Sequence, residues 1–306
     1  MVKKLDWEIF PLLNICKIIK QLDYYYKKGM KFIMSSFVIK LIAIVTMLCD
    51  HSGDAILGHF SILNVIGRIA FPLFCFQIVI GYTHTKNVKK YLSRLFIFGL
   101  ISQIPFSLFT YSYLGRLDLL NVYFTLALGL LAVYILDTFP KKYKIIAIVL
   151  DIILMVIAEL AQTDYGWFGV CLIICIYLFY NDKNATQKTE AIVISSGSNN
   201  IASDTISSKN VAPQAIRQKS ENAITYFNNN ILFTIVLFAL ILIKFSNYFS
   251  MGSYYTYLGL VQIIGTFFPI IFMLLYNGKK GPSMKYAFYV FYPVHLLILV
   301  AIHYMI

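Results

Sequence analysis

The chain is 306 residues long, 59% hydrophobic and 13% charged, with a mean hydropathy of +0.73, well above the roughly 45–50% apolar content of soluble domains. Its formal net charge of +12 does not read as a nucleic-acid surface, because Lys and Arg neither crowd one face nor interleave with aromatics. They fall in short blocks between apolar runs of bilayer-crossing length, so the sequence predicts an all-α, polytopic membrane protein with about nine transmembrane helices.

In chain order, residues 1–35 form a basic extension in which Lys3, Lys4, Lys17, Lys20, Lys27, Lys28 and Lys31 alternate with Trp7, Phe10, Leu12 and Leu13. That pattern suits an interfacial amphipathic helix on the cytoplasmic side, and it carries no signal-peptide cleavage pattern. A first membrane segment, roughly residues 36–180, is predicted to hold six spans, at roughly 36–50, 61–81, 92–109, 121–137, 144–160 and 166–180. Residues 181–228 follow, rich in Ser, Asn, Thr, Gln and Ala without apolar periodicity, and read as a flexible cytoplasmic linker. A second membrane segment over 229–306 is predicted to hold three more spans, at roughly 229–247, 257–276 and 286–304.

The basic residues assign an orientation. Lys86, Lys89, Lys90 and Arg94, then Lys141, Lys142 and Lys144, then the linker, then Lys279, Lys280 and Lys285 fall on every second connection. Of the other connections, the one between spans three and four carries Arg116, and Lys244 stands near the end of span seven. The positive-inside rule therefore predicts a cell-membrane protein with its N-terminus in the cytoplasm and its C-terminus outside.

Ionisable side chains at bilayer depth cost about 2.5–3.5 kcal/mol each on insertion scales, so each one needs a partner or a purpose. Asp50 and His51 close span one, Arg68 lies in span two, Asp151 in span five and His295 in span nine, with Glu159 and Asp164 beside the junction of spans five and six. In the adjacent pair, Asp50 is expected either to raise the basicity of the His51 imidazole for general-base work or to share a solvated helix end with it. Arg68 reads as a counter-ion to Asp50 or Asp151, or as a group that stabilises developing negative charge. His295 follows Pro293, and either serves a site or donates to a carbonyl freed by the proline. No His, Cys, Asp or Glu spacing suggests a metal site, and the five cysteines lie mostly within apolar runs, which argues against a disulfide framework.

Six strings taken in order, KLIAIVTMLCDHSG, IGRIAFPLFCFQIVIGYTHTKNVKKYL, RLFIFGLISQIPFSLF, LNVYFTLALGLLAVYILD, AELAQTDYGWFGV and KYAFYVFYPVHLLIL, resemble the TraX family. The resemblance covers about residues 36–180 and 229–300 and excludes the N-terminal extension and the linker. It implies an integral-membrane acetyltransferase that takes acetyl-CoA as donor, since the family is associated with N-terminal acetylation of conjugative pilin. More distantly, Lys40 followed eleven positions later by His51 is similar to the layout of other transmembrane acyltransferases. A helical step of eleven residues rises about 16 Å and returns near the same face, so Lys40 is placed to meet CoA phosphates while His51 meets the chemistry. The expected catalytic set is His51, Asp50, Arg68 and His295, with Asn64 or Gln103 as further supports for an oxyanion. The expected donor-binding set is Lys40, Lys86, Lys89, Lys90 and Arg94, with no metal. The expected partners are the lipid bilayer, acetyl-CoA and an acceptor that is either a protein N-terminus or a glycan, without nucleic acid. The rival class is a proton- or ion-coupled transporter, in which Asp50, Arg68, Asp151 and His295 would form a relay.

Overall fold

The computed structural model describes residues 34–57, 61–180, 268–282 and 285–306, with isolated positions at 239–240, 242–243, 263 and 265–266. The expected interfacial helix before residue 34, the linker at 181–228, His59, Lys244 and most of the spans expected at 229–247 and 257–276 lie outside the described residues.

All regular elements among the described residues are helices. Helix α1, Ser36–Ser52, starts where the Ser35 side chain accepts the Val38 N–H, and runs on through a π-helical turn at Gly53–Leu57. Helices α2, Ile62–Gly67, and α3, Ala70–His84, form one hydrophobic stretch interrupted at Arg68. Helix α4, Val88–Leu114, is capped by Asn87 and closed by Gly115 in the left-handed region, at φ 68°. Helices α5, Val122–Thr138, α6, Lys144–Leu160, and α7, Gly166–Tyr180, follow. Then come the short α8, Pro269–Leu274, and the last helix α9, Lys285–Met305.

Among the described residues, four stretches are long and apolar enough to cross a bilayer: Ser36–Leu57, Ile62–His84, Val88–Leu114 and Tyr286–Met305. Val122–Thr138 and Gly166–Tyr180 are shorter apolar helices at two further expected spans. One side of α6 carries Ile145, Ile148, Ile152 and Val156 at half exposure or more, while Ala147, Asp151, Leu154 and Ala158 face inward. Such a one-sided apolar exterior is unfavourable in water and suits lipid. The protein is an all-α membrane protein.

Cross-helix contacts fix the directions. Lys40 lies over the Phe288 ring and His51 meets His295, so α1 and α9 run parallel. Arg68 meets Asp50 while Gln77 meets Ser36, so α3 runs antiparallel to α1. At the Lys40 end, Ser36 N–H donates to the Lys279 carbonyl and Asn277 N–H to the Met34 carbonyl, which straps the start of α1 to the loop before α9. There too the Asp137 carboxylate accepts from Tyr82 (2.6 Å) and Tyr177 (2.5 Å), tying the ends of α3, α5 and α7 together.

At the opposite end, Leu120 N–H donates to the Gln162 carbonyl and Asp164 N–H to the Leu120 carbonyl. The chain then turns inward before α5. Fully buried Asn121 donates to the Gly99 carbonyl (2.7 Å) and to Gln103 Oε1 (2.9 Å), so α5 begins level with the middle of α4 rather than with its end.

Candidate functional site

Two residues before its π-helical segment, α1 turns His51 toward α9, where the His51 Nδ1 to His295 Nε2 distance is 2.7 Å and the rings stack at 5.0 Å between centroids. The second nitrogen of His295, Nδ1, lies 2.9 Å from the Phe291 carbonyl oxygen. A carbonyl only accepts, so His295 Nδ1 carries the proton there. With both rings uncharged, His295 Nε2 is then the acceptor, His51 Nδ1 the donor, and His51 Nε2 keeps a lone pair. The network thus leaves one basic nitrogen open, and holds its ring by the other.

Apolar rings surround the pair. Phe109 of α4 lies 5.1 Å from His51, Phe291 stacks on His295 at 4.8 Å, and Tyr292 stands 6.2 Å from His51 and 5.7 Å from His295. The expectation that His295 bonds a proline-freed carbonyl is corrected in detail. Pro293 has no N–H for the Tyr289 carbonyl four residues back, and it is Tyr123 Oη that donates to that oxygen, at 3.3 Å. His295 instead spans the Phe291 carbonyl and His51.

Asp50 does not orient His51. Its buried side chain faces away from α9 toward α2, where Oδ1 lies 3.9 Å from Arg68 Nη2 and 3.3 Å from Asn64 Nδ2. Asn64 Nδ2 also lies 3.0 Å from the Asp50 carbonyl and 2.8 Å from Asp54 Oδ1, while Asn64 Oδ1 accepts from Ser61 N–H and Oγ–H. A methyl at Gly67 would come within 2.4 Å of Asp50 Oδ1, so only glycine lets α2 approach this closely. The reason is helical geometry, since adjacent residues point about 100° apart and cannot both face α9.

Two expected oxyanion supports are likewise spent elsewhere. Asn64 is committed at the α1–α2 joint, and Gln103 donates to Ser107 and to the Leu119 carbonyl while accepting from Asn121. Arg68 takes the counter-ion position to Asp50. Asp151 joins none of these groups: it is 4% exposed on α6, Oδ1 makes no hydrogen bond, and the charge in range is Lys144.

The basic residues occupy the other end. Lys40 lies 5.7 Å from the Phe288 ring centre, on the α9 face that carries His295 two turns on. Lys86, Lys89 and Lys90 are exposed where α4 begins, and Arg94 covers the Tyr91 ring at 5.5 Å. Lys40 and His51 therefore do face the same neighbouring helix at separate depths, as the eleven-residue step requires. A cleft of about 510 Å³ at the His51 end, lined by Arg116, Leu119, Glu159, Gln162, Thr163, Tyr165 and Gly166, contains neither histidine. Among the described residues no His, Cys, Asp or Glu group could hold a metal.

Sequence reasoning named both histidines but not their union, since 244 residues separate them. It also passed over Phe109 and Tyr292, which look like ordinary aromatics in apolar helices.

Comparison with known proteins places the chain. It is 28% identical over 281 residues to a protein of Dichelobacter nodosus named as a probable fimbrial assembly protein, FimC of serogroup H1, covering 87% of this chain and 94% of that one. It is 28% identical over 151 residues to an uncharacterized protein of Rickettsia prowazekii, covering 48% of this chain and 56% of that one. No solved structure matches. The profile of the TraX protein family matches residues 35–217 and 255–303, most of the sequence, and the chain belongs to the TraX family.

Proposed function

We propose that the chain is an integral-membrane acyltransferase that moves an acetyl group from acetyl-CoA to an amine, with His51 as general base and His295 as the residue that positions it. The observation that carries the reading is the 2.7 Å contact between His51 Nδ1 and His295 Nε2 inside the helix bundle, because it leaves His51 Nε2 open to take a proton. In the reaction, an acceptor nitrogen attacks the thioester carbonyl carbon while His51 Nε2 removes its proton. The carbonyl electron pair moves to oxygen, then returns as the C–S bond breaks, and the CoA sulfur leaves as thiol with the proton from His51.

Lys40, Lys86, Lys89, Lys90 and Arg94 would draw the polyanionic donor to the end of the bundle where they lie, which the loop charges assign to the cytoplasm. The fimbrial assembly name of the Dichelobacter nodosus relative favours a polypeptide amine over a glycan hydroxyl as the acceptor.

Membranes containing the chain, given radiolabelled acetyl-CoA, test this directly. His51→Ala should reduce acetyl incorporation roughly 10²–10⁴-fold while leaving acetyl-CoA binding and membrane abundance near normal. Wild-type turnover in that variant, or a defect confined to donor binding, would remove His51 as the base.

A further inference from the structure

Several tyrosines of the bundle spend their hydroxyl groups on neighbouring helices. Tyr82 and Tyr177 donate to Asp137, and Tyr123 donates to the Tyr289 carbonyl. Tyr292 differs: it is 3% exposed, its hydroxyl meets no hydrogen-bond acceptor, and the backbone group that bears on its oxygen is the Val122 N–H, itself a donor. An orphaned buried hydroxyl is a net cost to folding, and such exceptions need a reason. The ring itself is fixed, with Tyr123 edge-on at 5.2 Å and His51 and His295 at 6.2 and 5.7 Å.

Position supplies the reason. A carbonyl attacked by an amine at His51 Nε2 must lie about 3–3.5 Å from that amine, within the space bounded by His51, Phe109, Tyr292 and His295. Phe109 has no donor. His295 uses Nδ1 on the Phe291 carbonyl and Nε2 on His51. The Arg68 guanidinium is paired with Asp50, on the side of α1 turned from α9. Tyr292 carries a hydroxyl donor on the α9 side of the histidine pair.

We infer that Tyr292 is a catalytic residue of the acetyl transfer, its O–H donating to the thioester carbonyl oxygen as negative charge gathers there. The inference rests on the acetyl-transfer reading above. When nitrogen attacks, the C–N bond forms and the carbonyl π pair becomes the oxyanion that Tyr292 Oη–H stabilises. When the pair returns and the C–S bond breaks, that hydrogen bond weakens and Tyr292 keeps its own proton throughout. Sited among apolar rings, the donor faces no competition from water, which is the setting in which such stabilisation is strongest.

The test uses the full chain in lipid nanodiscs with Tyr292→Phe, which deletes one oxygen and keeps the ring. With a hexapeptide bearing a free glycine N-terminus as acceptor probe, turnover should fall roughly 10²-fold while the KM for acetyl-CoA stays within about threefold. A second readout needs no turnover. Acetyl-CoA labelled with ¹³C at the thioester carbonyl should show a lowered C=O stretch when bound to the wild-type protein, and the shift should vanish in Tyr292→Phe. Unchanged turnover in Tyr292→Phe alongside an inactive His51→Ala overturns this inference and leaves the base assignment standing. If the peptide is not acetylated by any form, the carbonyl stretch decides, and equal frequencies in the two proteins overturn the inference.

Discussion

Two regions that share α1 use their polar groups in opposite ways. At the α1–α2 joint, Asp50, Asp54, Asn64, Ser61 and Arg68 bond one another and hold two helices in close approach at Gly67. At the α1–α9 face, His51 and His295 bond each other and leave a nitrogen open, and the nearby Tyr292 ring carries a hydroxyl with no acceptor. Polar groups that answer one another stabilise a fold, whereas a group left with spare bonding capacity can act on a bound one. Asp50 and His51 are neighbours in sequence, yet the first holds two helices together and the second is the base of the proposed reaction.

Substitutions at three further positions would break or sharpen this contrast. The largest expected effect is at His295. Removing the acceptor for His51 Nδ1–H by His295→Ala should lower acetyl transfer roughly 10²-fold with little change in the KM for acetyl-CoA, and His295→Gln, whose amide oxygen can accept the same proton, should recover part of it. A His295→Ala protein with normal turnover would separate the two histidines functionally. Next is Asp50→Ala, which strips acceptors from Asn64 and Arg68 and should cost about 1–3 kcal/mol of stability, read as a lower melting temperature in detergent. Its turnover per folded molecule should stay within a fewfold, and a loss matching that of His51→Ala would put Asp50 back into the chemistry. The smallest effect is expected at the other end. Lys40→Ala should raise the KM for acetyl-CoA about fivefold without changing kcat, and the difference should shrink as salt rises. A salt-independent fall in kcat would mean that Lys40 supports the bundle rather than the donor.

The sequence alone determined the solvent, the fold class and, among the described residues, where the helices lie. Long apolar runs cannot be kept in water, and runs of that length cross a bilayer only as helices, so composition and period were sufficient. It also determined which residues warranted scrutiny, because a titratable group at bilayer depth is costly enough to stand out by itself, as His51, Arg68, Asp151 and His295 did. The Lys40-to-His51 step was legible for the same local reason, since both lie on one helix whose pitch is fixed. What only the tertiary structure decided was partnership. Whether His51 answers to Asp50 or to His295 depends on how α1 is rotated against α2 and α9, and that rotation is set by packing across 244 residues of chain. Asn64, Gln103 and Tyr292 were undecidable for the same reason: a side chain's hydrogen bonds to distant helices leave no mark on the local pattern, and only the assembled bundle separates a donor already spent from one still held in reserve.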